Sequence, residues 1–282
     1  MTATTTPTFV PERRGLTFGG ILNSEFIKLR TLRSTLWCYA IIVVITLGLG
    51  FVLATSYSSN TTLPGYSQQA IWLLASTVGV AFGQLVIAVL GALVITGEYG
   101  TGMIRSTLTA VPKRIPALAA KALVFGVVTF FIAFVAVVLT AVVIAPILPS
   151  RGVHPDFGDS KVWLALVGAA VALALVGVLS LSIGAIIRNS AGGIAISLGL
   201  LLVLPTIVSI FVAVTRIAWM RNLENFLPSQ AAGRMYAYVS NTTTLQLPGT
   251  FVLEPWQAVL VLVAWVAVFV ALAAVLLKRR DA

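Results

Sequence analysis

The sequence predicts an all-α, polytopic integral membrane protein: six transmembrane helices preceded by an amphipathic helix on the membrane surface. Three observations carry that expectation. Hydrophobic residues make up 59% of the 282 and charged residues only 9%, with a mean hydropathy of +1.04, whereas a water-soluble domain carries about a quarter charged residues. The apolar residues fall into six runs long enough to cross a bilayer as helix, which takes about 20 residues. None of the runs alternates apolar with polar residues, as the strands of a membrane barrel do.

The predicted spans are residues 36–54, 70–96, 118–148, 162–187, 192–214 and 256–277. The second, third and fourth exceed the bilayer requirement and so tilt, kink or project beyond it. Residues 1–17 are a polar lead-in, rich in Thr and Pro and expected to be disordered. Residues 18–282 form a single membrane domain. Within residues 18–33, Leu22, Phe26 and Leu29 recur at i, i+4 and i+7, with Asn23, Glu25, Lys28 and Arg30 as polar flanks. That pattern predicts the surface helix, and Ser34 is the expected cap of the first span. The first run begins too far from the start, and lacks the small-residue cleavage pattern, to be a signal peptide.

The net charge is +10. With a cytoplasmic N-terminus, six spans return the C-terminus to the same side, and thirteen of the eighteen Lys and Arg residues then lie inside. This satisfies the positive-inside bias, so topology accounts for the charge and no nucleic-acid partner is called for. The predicted location is the cell membrane, with both termini cytoplasmic.

Catalytic equipment is sparse. One histidine and one cysteine, Cys38, build neither a zinc site nor a His-based triad. None of the eight carboxylates falls in the middle of a span, where coupled secondary transporters place them. His154, Asp156 and Asp159 cluster in one outside loop and read as an ordinary solvated turn rather than a metal site. Mild polarity inside the spans comes from Ser76, Thr77, Gln84, Thr129, Thr140, Ser180 and Ser182, of which Gln84 is the candidate for a substrate path. Gly79 and Gly83 form a small-x3-small pair suited to close helix approach, and Pro205 is expected to kink span five. Residues 215–255 are too long for a plain linker. They place Trp219, Tyr236, Tyr238 and Trp256 at the outer interface, with a short surface helix over 216–226 ended by Pro228. We read this segment as packing rather than as a vestibule cap.

Residues 98–121 are the one stretch beside the spans where acidic, basic, Gly and Pro residues crowd together. Glu98 is placed to face the positive end of a short helix, and Gly100 and Gly102 allow a sharp change of direction. Thr101 begins a brief helix running to residue 110 through Ile104, Arg105 and Leu108, and Pro112 stops it. Lys113 and Arg114 sit in the headgroup layer, Pro116 opens span three, and Lys121 reaches back to the cytoplasm. Lys28, Arg30 and Arg33 are the corresponding anchors on the surface helix.

The ordered set Glu98, Gly100-Thr101, Leu108, Pro112, Arg114, Lys121 resembles the signature of type-2 ATP-binding-cassette permeases. The opening Glu25-Phe26-Ile27-Lys28-Leu29-Arg30 is similar to the start of such permeases in Gram-positive, particularly actinobacterial, bacteria. The resemblance implies an exporter's membrane subunit with no ATPase site of its own. No P-loop occurs in the chain, so ATP and Mg would be bound by a separate ATPase subunit, present in two copies. A second permease chain, identical or paired, would complete the pathway within the membrane lipids. Glu98, Gly100, Thr101, Gly102, Ile104, Arg105, Leu108 and Pro112 would couple to the ATPase. The weakly polar spans suit amphipathic or hydrophobic cargo such as a drug, peptide or lipid. The competing readings are an ATP-independent transporter or channel, a membrane enzyme using the His154 loop, and a non-transporting assembly or signalling subunit.

Overall fold

The structure is a computed structural model, and it describes residues 17–57, 67–103, 114–215, 218–238 and 251–279. The described residues are helical throughout the elements that follow. Helix α1 spans Phe18–Thr31. The long helices are α2 Arg33–Ser56, α3 Gln68–Gly100, α4 Arg114–Ile144 and α5 Ser160–Ile187. The fifth crossing runs from α6 Ser190–Leu198 through a π turn at Gly199–Val203 into α7 Leu204–Thr215. Two short helices, α8 Ala218–Glu224 and α9 Pro228–Met235, precede the last long helix, α10 Pro255–Arg279. Six of these segments are long and apolar enough to cross a membrane, and the predicted spans lie almost wholly within them. Residues 1–16, and so nearly all of the predicted disordered lead-in, fall outside the described residues.

Helix α1 starts at Thr17, whose hydroxyl accepts from the Gly20 amide at 3.3 Å, a side-chain cap of the ordinary kind. Its buried face is Ile21, Glu25 and Leu29, one residue round from the predicted stripe. Phe26 and Ile27 are 47% and 52% exposed. Leu32 then adopts an extended backbone that ends α1 and begins α2 without a side-chain cap. Ser34, expected to cap, therefore sits inside the first turn of α2.

Helices α3 and α5 form the centre, flanked by α2 and α4, with α10 closing against α5. Small residues set the approach distances. A Cβ on Gly79 would lie 2.3 Å from Thr46 Cα on α2, and one on Gly91 would lie 2.5 Å from the Gly177 carbonyl oxygen on α5. Gly83, the other half of the predicted pair, leaves ordinary room, with its nearest neighbours at 3.6 Å. Some polar groups inside the bundle pair across helices, while the Thr35, Ser180 and Ser197 hydroxyls are buried without a hydrogen-bond partner among the described residues. Trp72 Nε1 donates to Ala141 O at 3.2 Å, and the Tyr39 and Thr129 hydroxyls meet at 2.8 Å.

The tight α5–α6 hairpin predicted at residues 188–190 is present. Arg188 takes a left-handed backbone (φ 59°), and its amide bonds Gly184 O at 2.8 Å. Asn189 caps α6 by accepting from the Gly192 amide at 3.0 Å. The irregularity expected at Pro205 appears just before it, as the π turn. The Leu204 amide reaches five residues back to Gly199 O, so the ladder changes register just ahead of the residue that cannot donate.

Residues 218–238 depart furthest from expectation. Helix α8 stays exposed, with Trp219 and Leu223 among its exposed residues, whereas Pro228 opens α9, which folds inward and buries Pro228, Ala231, Ala232 and Met235. Trp265, about 15 Å along α10 from its start, donates from Nε1 to Phe226 O at 2.9 Å. The Met235 carbonyl lies 2.2 Å from where a Cβ on Gly168 would be. Tyr236 lies against Gln84, about 24 Å along α3. Helix α9 and the residues just after it are wedged among α3, α5 and α10, while α8 packs on α7.

Candidate functional site

The end of the bundle that carries α1, the close of α3 and the start of α4, here the basal end, holds a closed ring of four charges. Helix α3 continues past residue 96 to Gly100, so Glu98 belongs to its last turn and is 6% exposed. The short helix it was expected to face lies almost wholly outside the described residues. Glu98 Oε1 accepts from Lys28 Nζ of α1 at 3.0 Å and from Lys121 Nζ of α4 at 2.8 Å. Glu25 of α1, 3% exposed, completes the ring, binding Lys28 at 2.8 Å and Lys121 at 2.5 Å.

Lys121 corrects the expectation of a side chain snorkelling to the cytoplasm. It is 5% exposed and turned inward between two carboxylates from different helices. The reason is energetic. Burying one charge in an apolar bundle is very costly, whereas a multiply hydrogen-bonded set of opposite charges recovers most of that cost. Burial pulls the Lys28 ammonium down, but the hydrogen bonds and charges of Glu25 and Glu98 outweigh it and hold Lys28 above the ordinary lysine range. Glu98 Oε2 is buried and has no hydrogen-bond partner among the described residues.

Next to the ring, the Ser190 hydroxyl donates to Thr96 Oγ1 at 3.0 Å, tying the start of α6 to α3. The Arg188 guanidinium lies over the Tyr99 ring at 5.3 Å. Thr101 closes α3, its hydroxyl donating back to Gly97 O at 2.9 Å. Gly102 then turns the chain at φ 72°, where glycine is needed. Gly100 lies within the helix and does not make that turn. Arg30 and Arg33 are exposed, and Arg114 donates to Leu277 O of α10 at 3.0 Å. Ile104, Arg105, Leu108, Pro112 and Lys113 lie outside the described residues, as does most of the predicted 101–110 helix.

Sequence reasoning missed Glu25, which it assigned to a polar flank. The available signal was a pair of opposite charges, Glu25 and Lys121, each standing where an unpaired charge meets an apolar surround.

At the opposite, distal end the His154 loop is built from turns and caps. Gln68 and Gln69 side chains bond the His154 and Asp156 backbone at 3.1–3.2 Å. Asp156 Oδ1 accepts from the Gly158 amide at 2.8 Å. Asp159 caps α5, accepting from the Lys161 amide at 2.9 Å, and also accepts from the Tyr238 hydroxyl at 2.6 Å. The Tyr238 bond, with that amide, holds Asp159 below the usual carboxylate range. The same bond pushes Tyr238 up to about 12, while burial pushes Tyr236 up to about 12. Gln84 is buried beside Tyr236.

A family model described as "ABC-2 family transporter protein" matches residues 20–282. No curated protein sequence matches the chain.

Proposed function

Because the chain belongs to the ABC-2 transporter family, as a multi-pass permease working with an ABC ATPase subunit, we propose that it is the membrane half of an exporter. Its cargo would be amphipathic or hydrophobic, of the drug, peptide or lipid kind. Residues 18–282 would act as one domain in the cell membrane, with the basal end and both termini cytoplasmic. Two ATPase subunits would bind ATP and Mg, and two permease chains would enclose the path. The chain itself would catalyse no covalent chemistry.

The observation that carries this reading is the position of Glu98. It lies three residues before Thr101, where α3 ends and the loop begins, and it is locked by charge to α1 and α4. A load applied to the loop therefore reaches three helices at once, since moving Glu98 alone would break two ion pairs, one of them buried. Residues 98–112 would be the docking element, and the ring would convert its displacement into a joint movement of α1, α3 and α4.

The test is purification of the tagged chain from its host in mild detergent, with mass spectrometry of what accompanies it. The expected companion is a soluble subunit carrying a P-loop, lost when residues 98–108 are replaced. Glu98→Ala, inserted into the membrane at normal levels, is expected to abolish ATP-driven transport. A chain that comes out alone, or transport that survives this substitution, removes the reading.

A further inference from the structure

The ring of charges floors a groove that the coupling role does not use. The groove encloses about 280 Å³ between α1 and the close of α3. Its walls are Leu29, Leu32, Leu93, Val94 and Met103, with Glu98 and its three partners below. Gly97 stands at its edge, exposed, and a Cβ there would meet nothing within 4 Å. This is an unusual place for glycine, since mid-helix glycine costs about 1 kcal/mol relative to alanine and no neighbour demands it. A side chain longer than alanine's at this lining position would enter the groove.

We propose that this groove binds a neutral single-chain amphiphile drawn from the membrane, with a hydroxyl or amide head and an apolar tail. The volume lies just under the roughly 300 Å³ at which drug-sized pockets begin, so it admits one chain and not two. The predominantly apolar wall with a few convergent polar groups is the usual make-up of a small-molecule site. The head is argued from charge. The ring holds two carboxylates and two ammoniums, already paired. A cationic head would come up against Lys28 and Lys121, and an anionic head against Glu25 and Glu98. A neutral O–H or N–H escapes both penalties. It also offers a donor beside Glu98, a lining residue whose Oε2 has no hydrogen-bond partner among the described residues. The membrane is the source because the wall residues Leu93 and Val94 belong to α3, one of the helices long and apolar enough to cross it. The proposal does not rest on the transport reading.

The test uses the full chain in phosphatidylcholine nanodiscs, with a monoacylglycerol carrying a diazirine in its tail as the probe. Photolabelling is expected to map to peptides containing Leu29 and Leu93–Val94. Decanol should compete, while decylammonium and decanoate should be about ten-fold weaker, the scale of one hydrogen bond to a charged group. Gly97→Leu fills the groove and should abolish labelling without lowering the melting temperature, and Gly97→Ala should retain it. Labelling unchanged in Gly97→Leu, or spread evenly over the lipid-facing helices, overturns the site. Displacement by decylammonium ahead of decanol overturns the neutral class of ligand.

Discussion

Lys121 shows how a single side chain can tie three helices together. Its ammonium serves Glu25 and Glu98 at once, and Lys28 bridges the same two carboxylates from the other side. Replacing it with methionine leaves two buried carboxylates sharing one ammonium, and we expect a loss of about 3–5 kcal/mol, read as a lowered thermal midpoint in detergent. Combining Lys121→Met with Glu25→Leu should cost less than the two single changes added together, because both report on one network. Glu98 was legible in the sequence because it stands in a loop-edge signature. Its partners were not, because the contacts that bury Lys121 lie 96 and 23 positions away and no local pattern records them. Helical periodicity placed Glu25 with the polar flank for the same reason: an apolar stripe counts only apolar residues.

At the level of elements, the close contacts between helices and the inward course of α9 carry the specific expectations. Gly79→Leu should destabilise the fold by about 1–3 kcal/mol, since its Cβ alone collides with the Thr46 backbone and the helices must part. The same change at Gly83 should be milder. The segment holding α9 is fastened at its outer edge by Tyr238 and Asp159. Because the folded carboxyl is held below its free value, the fastening contributes fully above pH about 4 and fades as pH falls through the lowered value. Tyr238, at about 12, keeps its proton well above neutrality. Amide exchange over residues 218–238 should therefore be flat from pH 5 to 8 after correction for intrinsic rates, and faster in Tyr238→Phe. The sequence marked this segment as too long for a linker, yet the inward course of α9 was not readable. Short amphipathic helices look alike whether they rest on a membrane or enter it, and only Gly168, Gln84 and Trp265 on other helices decide between the two.

For the whole molecule, the six crossings were legible because hydropathy over a long window is a bulk property that packing cannot override. Their ends were less so, since α3 and α4 each continue past the apolar run into charged residues that pair only in the folded state. The proposed orientation can be read directly in a Cys38→Ala background. A cysteine at Asp156 should react with a membrane-impermeant maleimide in intact cells, and one at Lys278 only after the cells are opened. The reverse pattern would invert the assignment. The π turn at Gly199–Val203 gives the fifth crossing a further property. A π turn holds one more residue than the α turn it replaces, so α7 is out of phase with α6. Rewinding that turn as α-helix would hand one residue on to the next segment, rotating it by about 100° and sliding it about 1.5 Å along its axis. Ile207, Ile210 and Phe211, exposed on α7, would then sweep to a new azimuth with no hinge loop involved.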